Sequence, residues 1–128
     1  MGARIVIKLA IVGSRSFDDY DHLVKSILEN FPDLSAIKLI VSGGAKGADK
    51  LAERFASEHK IPIQIIKPDW SLGRHAAMLR NKSIVDCVDT VIAFWDNVSN
   101  GTEDTIKYTK KVKKKLYMIN IRDDLITL

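Results

Sequence analysis

The chain of 128 residues has a single cysteine, Cys87, which excludes an internal disulfide and a thiolate metal cluster. We expect Cys87 to be a small buried hydrophobic residue in a helix. The three histidines, His22, His59 and His75, lack the close spacing of a metal site, so the sequence predicts no metal and no cofactor. No apolar run approaches the roughly 20 residues that span a bilayer, and residues 1–8 have no signal-peptide core. We therefore expect a cytoplasmic protein that does not enter membranes.

Acidic residues are outnumbered by basic ones, and the formal net charge is +4. Much of the excess lies near the end of a predicted helix, in Lys107, Lys110, Lys111, Lys113, Lys114 and Lys115. We interpret this run as a solvent-exposed face that complements the helix dipole. A nucleic-acid-binding patch is the alternative.

Apolar segments alternate with segments of helical periodicity along the whole chain. Strands are predicted over residues 5–12, 37–41, 61–66, 90–95 and 116–121, and helices over 20–31, 48–56, 75–87 and 101–114. Right-handed crossovers join such strands into a parallel sheet with helices on both faces. The predicted fold class is α/β, a three-layer Rossmann-like sandwich with a mainly parallel five-stranded sheet, in a single domain over residues 1–128.

Three short motifs each follow a predicted strand and precede a helix. In such folds these loops gather at one edge of the sheet, near the point where the winding reverses, and present backbone N–H groups to anionic ligands. They are Gly13-Ser14-Arg15, Ser42-Gly43-Gly44-Ala45-Lys46-Gly47-Ala48-Asp49 and Ser99-Asn100-Gly101-Thr102. The sequence therefore predicts a site for a phosphate-bearing small molecule.

The second motif is dense in glycine, and Gly43, Gly44 and Gly47 each carry an entropic cost on folding. Close approach of a ligand to the backbone would justify that cost, and a helix start that only requires positive φ is the alternative. We expect Lys46 to meet a phosphate and Asp49 to cap or anchor the helix. The motif is neither a Walker A loop nor Gly-x-Gly-x-x-Gly, which disfavours nucleoside triphosphatases and dinucleotide oxidoreductases.

Arg80 is predicted on a buried helical face, where a guanidinium needs an anionic partner. A ligand phosphate and a salt bridge to a nearby carboxylate such as Asp89 are equally consistent with that position. Asn81 beside it has donors and an acceptor suited to a ribose or a base edge. Trp70 and Trp95 both follow strands and have rings that can stack on a base, although we expect at least one of them to pack beneath the loops.

These segments, taken in order, resemble the YspA core-related branch of the SLOG superfamily over about residues 5–117. The superfamily includes the Lonely Guy nucleotide phosphoribohydrolases and the DNA-processing protein A family, so the resemblance implies a nucleotide-derived ligand. The residues expected to bind it are Gly13, Ser14, Arg15, Gly43, Gly44, Ala45, Lys46, Gly47, Asp49, Trp70, Arg80, Asn81, Trp95, Ser99, Gly101 and Thr102.

One departure from the Lonely Guy enzymes bears on catalysis. Matching their Pro-Gly-Gly-x-Gly-Thr-x-x-Glu motif to Gly101 and Thr102 places Thr105 where they have a catalytic glutamate. The remaining catalytic candidates are Arg80, Glu103 and Asp104, and acids at a helix start are expected for dipole reasons alone. We therefore expect binding or sensing of a nucleotide or nucleotide-sugar derivative. Nucleoside monophosphate hydrolysis and single-stranded nucleic-acid binding are the alternatives, and homo-oligomerisation stays open.

Overall fold

A computed structural model describes residues 6–121. Its strands are β1 (Ile7–Gly13), β2 (Ile37–Ser42), β3 (Ile63–Ile65), β4 (Thr90–Trp95) and β5 (Lys115–Asn120). Its α-helices are α1 (Tyr20–Asn30), α2 (Ala48–Glu58), α3 (Ala76–Asp86) and α4 (Asn100–Lys111), with short 3₁₀ helices at Leu34–Ala36 and Trp70–His75. Ile5 of the first predicted strand, and residues 1–5 and 122–128 of the predicted domain, lie outside the described residues.

The strands form one sheet in the order β3-β2-β1-β4-β5, and every neighbouring pair is parallel. The chain builds outward from β1 to β3 and then crosses back to place β4 on the other side of β1. Gly13 is in register with Phe94, so the loops after β1 and β4 leave the same edge side by side. This is the reversal point at which open α/β sheets bind ligands.

Strand β1 is buried on both faces, as its continuous apolar character predicts. Leu9 and Ile11 pack into the core beneath α1 and α2, while Ala10 and Val12 pack on the opposite face beneath α3 and α4. Because successive side chains alternate across a strand, one apolar run fills both layers. The predicted three-layer α/β fold is confirmed.

Several bounds differ from the sequence prediction. Strand β3 is shorter than predicted and lies at one edge of the sheet, where Gln64 and Ile65 are exposed. Helix α4 ends at Lys111, and Lys113, with φ of 61°, turns the chain toward β5. No helix among residues 6–121 has the length and apolar character needed to cross a bilayer.

The expectation that Cys87 is buried within a helix is wrong. Helix α3 ends at Asp86, and Cys87 follows it as an exposed residue whose thiol donates to the Ile84 carbonyl over 3.2 Å. Val88 fills the core position next to it. One residue of difference in the helix end turns the thiol outward.

Candidate functional site

The main cavity lies at the carboxyl edge of the sheet, between the loops that follow β1 and β4 and the first turns of α3. Its volume is about 440 Å³, within the usual range for small-molecule sites. It brings together residues from all three sequence motifs and from α3. Those of the predicted set that line it are Gly13, Arg15, Ala45, Asp49, Arg80, Asn81, Ser99, Gly101 and Thr102.

The start of α4 forms one wall of this cavity. Ser99 is the N-cap residue, but its side chain makes no capping hydrogen bond. The Glu103 N–H donates to the carbonyl of this N-cap residue over 3.1 Å. The N–H groups that come before Glu103 in α4 have no partner within the helix, as at every helix start. Among the described residues, and apart from its chain neighbours and the backbone of α4 itself, no heavy atom lies within 4 Å of the position that a Cβ at Gly101 would take. This helix start is therefore open to an anion.

Asp96 shapes the loop that leads into α4. Its Oδ1 accepts the N–H groups of Val98 and Ser99 over 2.9 and 2.8 Å, and its Oδ2 accepts the Ser99 hydroxyl over 3.0 Å. Burial opposes ionisation of this carboxyl, but the N–H groups of Ser99 and Val98 and nearby hydroxyls outweigh it and lower the pKa of Asp96 to about 2. A fixed carboxylate thus holds the loop while the helix start stays free.

Ser14 is buried and connects three segments instead of lining the cavity. Its hydroxyl oxygen accepts the Asp96 N–H over 3.2 Å and lies 3.0 Å from the Ser99 hydroxyl. Its carbonyl accepts the N–H groups of Phe17 and Ala48, each over 3.2 Å. Ser14 therefore positions the loops after β1 and β4 and the start of α2 relative to one another.

The start of α2 is occupied by the protein itself. Gly47 has φ of 76°, and a Cβ there would collide with the carbonyl oxygens of Ser14 and Arg15. The Ala48 N–H donates to the Ser14 carbonyl, and the Ala45 N–H donates to Asp49 Oδ2 over 3.1 Å. At Gly47 the packing of the backbone thus requires the positive φ. A helix start that only requires positive φ was the alternative to close ligand approach in the sequence analysis.

Arg80 lies half-buried against the glycine loop. Its Nη1 donates to the Gly43 carbonyl over 2.7 Å and its Nε to Asn81 Oδ1 over 2.8 Å. A Cβ at Gly43 would lie 2.7 Å from Nη1, so this glycine makes room for the guanidinium. Asp89, the salt-bridge partner considered from sequence, instead accepts the N–H of Lys8 and the hydroxyl of Thr90.

The electrostatics around Arg80 leave it receptive to an anion. Desolvation lowers the pKa of Arg80, nearby Asp49 raises it and Arg15 lowers it, which places two guanidinium groups close enough to repel. Burial raises the pKa of Asp49, against the stabilising effects of the Ala45 N–H and Arg80. Within residues 6–121, neither arginine forms an ion pair within 4.0 Å.

A second depression, which we call the groove, adjoins the main cavity and shares Arg15, Ala45 and Arg80 with it. Its volume is about 640 Å³, and its other lining residues are Gly43, Gly44, Lys46, Lys67, Pro68 and Trp70. Sequence reasoning missed Lys67, although its position just after β3, at the same sheet edge, was the available signal.

The two tryptophans differ in environment. Trp70 is 65% exposed in the groove. Trp95 lines neither depression, packs partly buried beneath the loops, and donates its indole N–H to the Ser99 carbonyl over 3.1 Å. Trp95 therefore supports the start of α4, as expected for at least one of the two rings.

The candidate acids from the sequence lie outside the main cavity. Glu103 faces Lys107 at 3.4 Å, and Asp104 lines a separate depression between α3 and α4. Thr105 does line the main cavity, where its hydroxyl donates to the Gly101 carbonyl over 3.0 Å. The carboxyls that face the cavity are Asp49 and Asp96, and Asp96 was missed although it directly follows β4.

Comparison with known proteins adds a family and two relatives. A model of the YspA, cpYpsA-related SLOG family matches residues 7–73, more than half of the chain. The chain is 27% identical over 111 residues to the gene 61 protein of Mycobacterium phage D29, covering 81% of this chain and 89% of that protein.

The fold is similar to that of DNA processing protein A from Helicobacter pylori, whose structure was determined to show its single-stranded DNA binding mode. The TM-score is 0.68 at 18% identity, covering 94% of this chain and 71% of that one. At this identity the likeness concerns the fold.

Proposed function

The chain belongs to the YspA, cpYpsA-related SLOG family, and from that premise we propose that its main cavity binds the phosphate of a nucleotide or nucleotide-sugar derivative. One observation carries the proposal. The open start of α4, with its free N–H groups and unobstructed Gly101, shares a cavity with Arg15 and Arg80, which form no ion pair among the described residues.

These features are complementary to a phosphate in different ways. The helix start supplies N–H donors and a positive dipole end. The guanidinium groups supply charge and paired donors. Because Arg80 is desolvated and Arg15 repels it, a bound phosphate would relieve the repulsion between them. Asn81, whose Oδ1 already accepts from Arg80, retains amide donors for a ribose or base.

Binding is favoured over hydrolysis by the placement of the acids. Cleavage of an N-glycosidic bond needs a carboxylate that stabilises positive charge or activates water. Glu103 and Asp104 do not line the main cavity, and Asp96 is engaged by the N–H groups of its own loop. Asp49 accepts the Ala45 N–H and is held beside Arg80. We assign these cavity carboxylates to shaping the site.

The proposal is tested by calorimetric titration of AMP, GMP, CMP, UMP and ADP-ribose into the wild type, Gly101→Val and Arg80→Met. Gly101→Val fills open space at the helix start and should weaken binding by about ten-fold or more, because a side chain there blocks close approach. Arg80→Met should weaken binding about 10–100-fold, the effect of losing a charge-assisted hydrogen bond of roughly 1.5–3 kcal/mol.

Matched controls are Lys110→Val on α4 and Lys82→Met on α3, both exposed and outside the main cavity. Unfolding of each variant without ligand separates binding from folding, since Arg80 also bonds to the Gly43 carbonyl. Equal affinities in Gly101→Val and the wild type would contradict the proposal. Release of free base by the wild type, detected by chromatography, would replace binding with hydrolysis.

A further inference from the structure

The groove contains cations and an aromatic ring but no carboxylate. Its charged lining residues are Arg15, Lys46, Lys67 and Arg80, whereas the main cavity also contains Asp49 and Asp96. Among residues 6–121, neither Lys46 nor Lys67 forms an ion pair within 4.0 Å. The groove therefore also favours an anion, and it lies next to the proposed phosphate site.

Trp70 is held in an exposed position by local structure. It begins the 3₁₀ helix, and Asp69 at the cap accepts the N–H and the hydroxyl of Ser71 over 3.1 and 2.6 Å. The turn therefore has a defined geometry, yet 65% of Trp70 remains exposed. An exposed indole on an ordered turn presents a π-face to solvent, which suits stacking on a planar ring.

Two glycines complete the lining of the groove. Gly43 leaves room for the Arg80 guanidinium, and Gly44, with φ of 75°, lies against the Ile65 side chain, which a Cβ there would approach to 2.9 Å. A lining of cations and one exposed aromatic ring matches a nucleoside joined to a phosphate. An acidic peptide would use the cations and leave the ring without a partner.

We infer that the groove binds a second nucleotide unit, so that the ligand contains at least two nucleotides joined through phosphate. This inference rests on the proposed function of the main cavity. One unit has its phosphate at the start of α4, and the linking phosphate passes Arg15 and Arg80, which line both depressions. The second base stacks on Trp70, and Lys46 and Lys67 add positive charge on the groove side of the linking phosphate. A free dinucleotide and a single strand of nucleic acid share this chemistry.

The test compares AMP with the 5′-phosphorylated dinucleotide pApA by calorimetry. The wild type should bind pApA about ten-fold or more tightly than AMP, since stacking of one base adds a favourable contact. Trp70→Ala should lower the affinity for pApA to about that for AMP and so remove this preference. Leu72→Ala is the matched control, because Leu72 is 55% exposed on the same 3₁₀ helix but does not line the groove.

The outcomes separate the two proposals. Two results together support both proposals. Gly101→Val binds both AMP and pApA more weakly than the wild type, and the preference for pApA is present in the wild type but absent in Trp70→Ala. AMP binding with no pApA preference in the wild type, or a preference that survives Trp70→Ala, overturns the second unit and leaves the phosphate site standing. Absence of any AMP and pApA binding overturns both.

A dA12 oligonucleotide identifies the source of the ligand. Affinity that rises from pApA to dA12 and falls steeply with salt indicates a strand, through counterion release. Equal affinities indicate a free dinucleotide. The inference would be overturned, and the groove assigned to an acidic peptide, by two results together. The wild type would show no preference for pApA, and a polyglutamate peptide would compete for binding in a way that requires Lys46 and Lys67 but not Trp70.

Discussion

Helices α2 and α4 both begin at the carboxyl edge of the sheet beside a glycine, but the two glycines have different surroundings. A Cβ at Gly47 would meet the backbone of Ser14 and Arg15, whereas one at Gly101 would meet no described atom within 4 Å beyond its chain neighbours and the backbone of α4. The start of α2 is packed against the loop after β1, and the start of α4 faces the cavity. The comparison teaches that a glycine at a helix start can be required by packing or can leave the helix start open, and that contacts decide which.

Each of these helix starts is organised by a carboxylate, and the pKa values of the two carboxyl groups are shifted in opposite directions. Asp49 is 7% exposed and burial raises its pKa, while hydrogen bonds to Asp96 lower the pKa of that group to about 2. The start of α2 therefore contains a desolvated charge inside a packed junction. The loop before α4 contains a partly buried carboxylate whose hydrogen bonds outweigh its desolvation, and it leaves its helix free.

The largest expected effect comes from the same substitution at both glycines. Gly47→Ala should lower the free energy of unfolding by about 3 kcal/mol, because positive φ and a backbone collision are both unfavourable for alanine. Gly101→Ala should change it little or raise it by up to about 1 kcal/mol, because alanine is the better helix former and the space is open. Urea denaturation without ligand measures both.

Similar free energies of unfolding in the two alanine variants would break the comparison. They would mean that the start of α2 accommodates a Cβ as readily as the start of α4 does. A large loss in Gly101→Ala alone would reverse it.

A smaller effect is expected from pH. The ordinary pKa of Asp96 is 3.8 and its folded value is about 2, so its stabilising contribution is present above 3.8 and is lost as the pH falls toward 2. Asp96→Asn should therefore flatten the fall of the melting temperature between about pH 4 and pH 2, relative to the wild type. Asp49 acts in the opposite sense, because its raised folded pKa makes its contribution disappear as the pH rises through that value.

Thermal unfolding from pH 2 to pH 7 measures this dependence. Parallel curves for Asp96→Asn and the wild type would show that the carboxylate does not hold the loop. Asp104→Asn, an exposed acid on α4, is the control and should leave the slope as it is.

The smallest effect is expected at the other end of α4. Lys110 and Lys111 end this helix, roughly 15 Å along its axis from the open start, about two Debye lengths at physiological salt. Replacing Lys110, Lys111 and Lys113 together by glutamine should change AMP affinity by less than about two-fold. A sharp loss of dA12 binding in this triple variant, with a steep salt dependence in the wild type, would move nucleic-acid binding from the groove to the lysine face.

Lys114 is excluded from that variant because it has a structural role that the sequence pattern did not show. Its Nζ donates to the carbonyls of Val85, Asp86 and Val88 over 3.0, 3.0 and 2.6 Å, at the end of α3. The run interpreted as a solvent-exposed face thus contains one residue that ties the turn between α4 and β5 to the end of α3, and its substitution would confound binding with folding.

Sequence patterns predicted the architecture because the interactions that determine it are periodic and local. The apolar run of β1 predicted burial on both faces, and the structure confirms it with Leu9 and Ala10 in opposite layers. The alternation of strands and helices predicted a parallel sheet, since a right-handed crossover is strongly favoured. That sheet in turn brings the loops after β1 and β4 to one edge. The same patterns singled out nine of the sixteen residues that line the main cavity.

Contacts between residues distant in the chain decided the rest. The partner of Arg80 is the Gly43 carbonyl, 37 positions away, instead of Asp89, because the turn of α3 points the guanidinium toward the glycine loop. Trp95 packs and Trp70 is exposed although both follow strands. The sequence by itself determined the α/β fold and the edge that carries the site, because periodic burial and crossover handedness act along the chain. Only the tertiary structure decided which helix start is open, because Ser14 and Arg15 fill the space beside Gly47 and no residue fills the space beside Gly101.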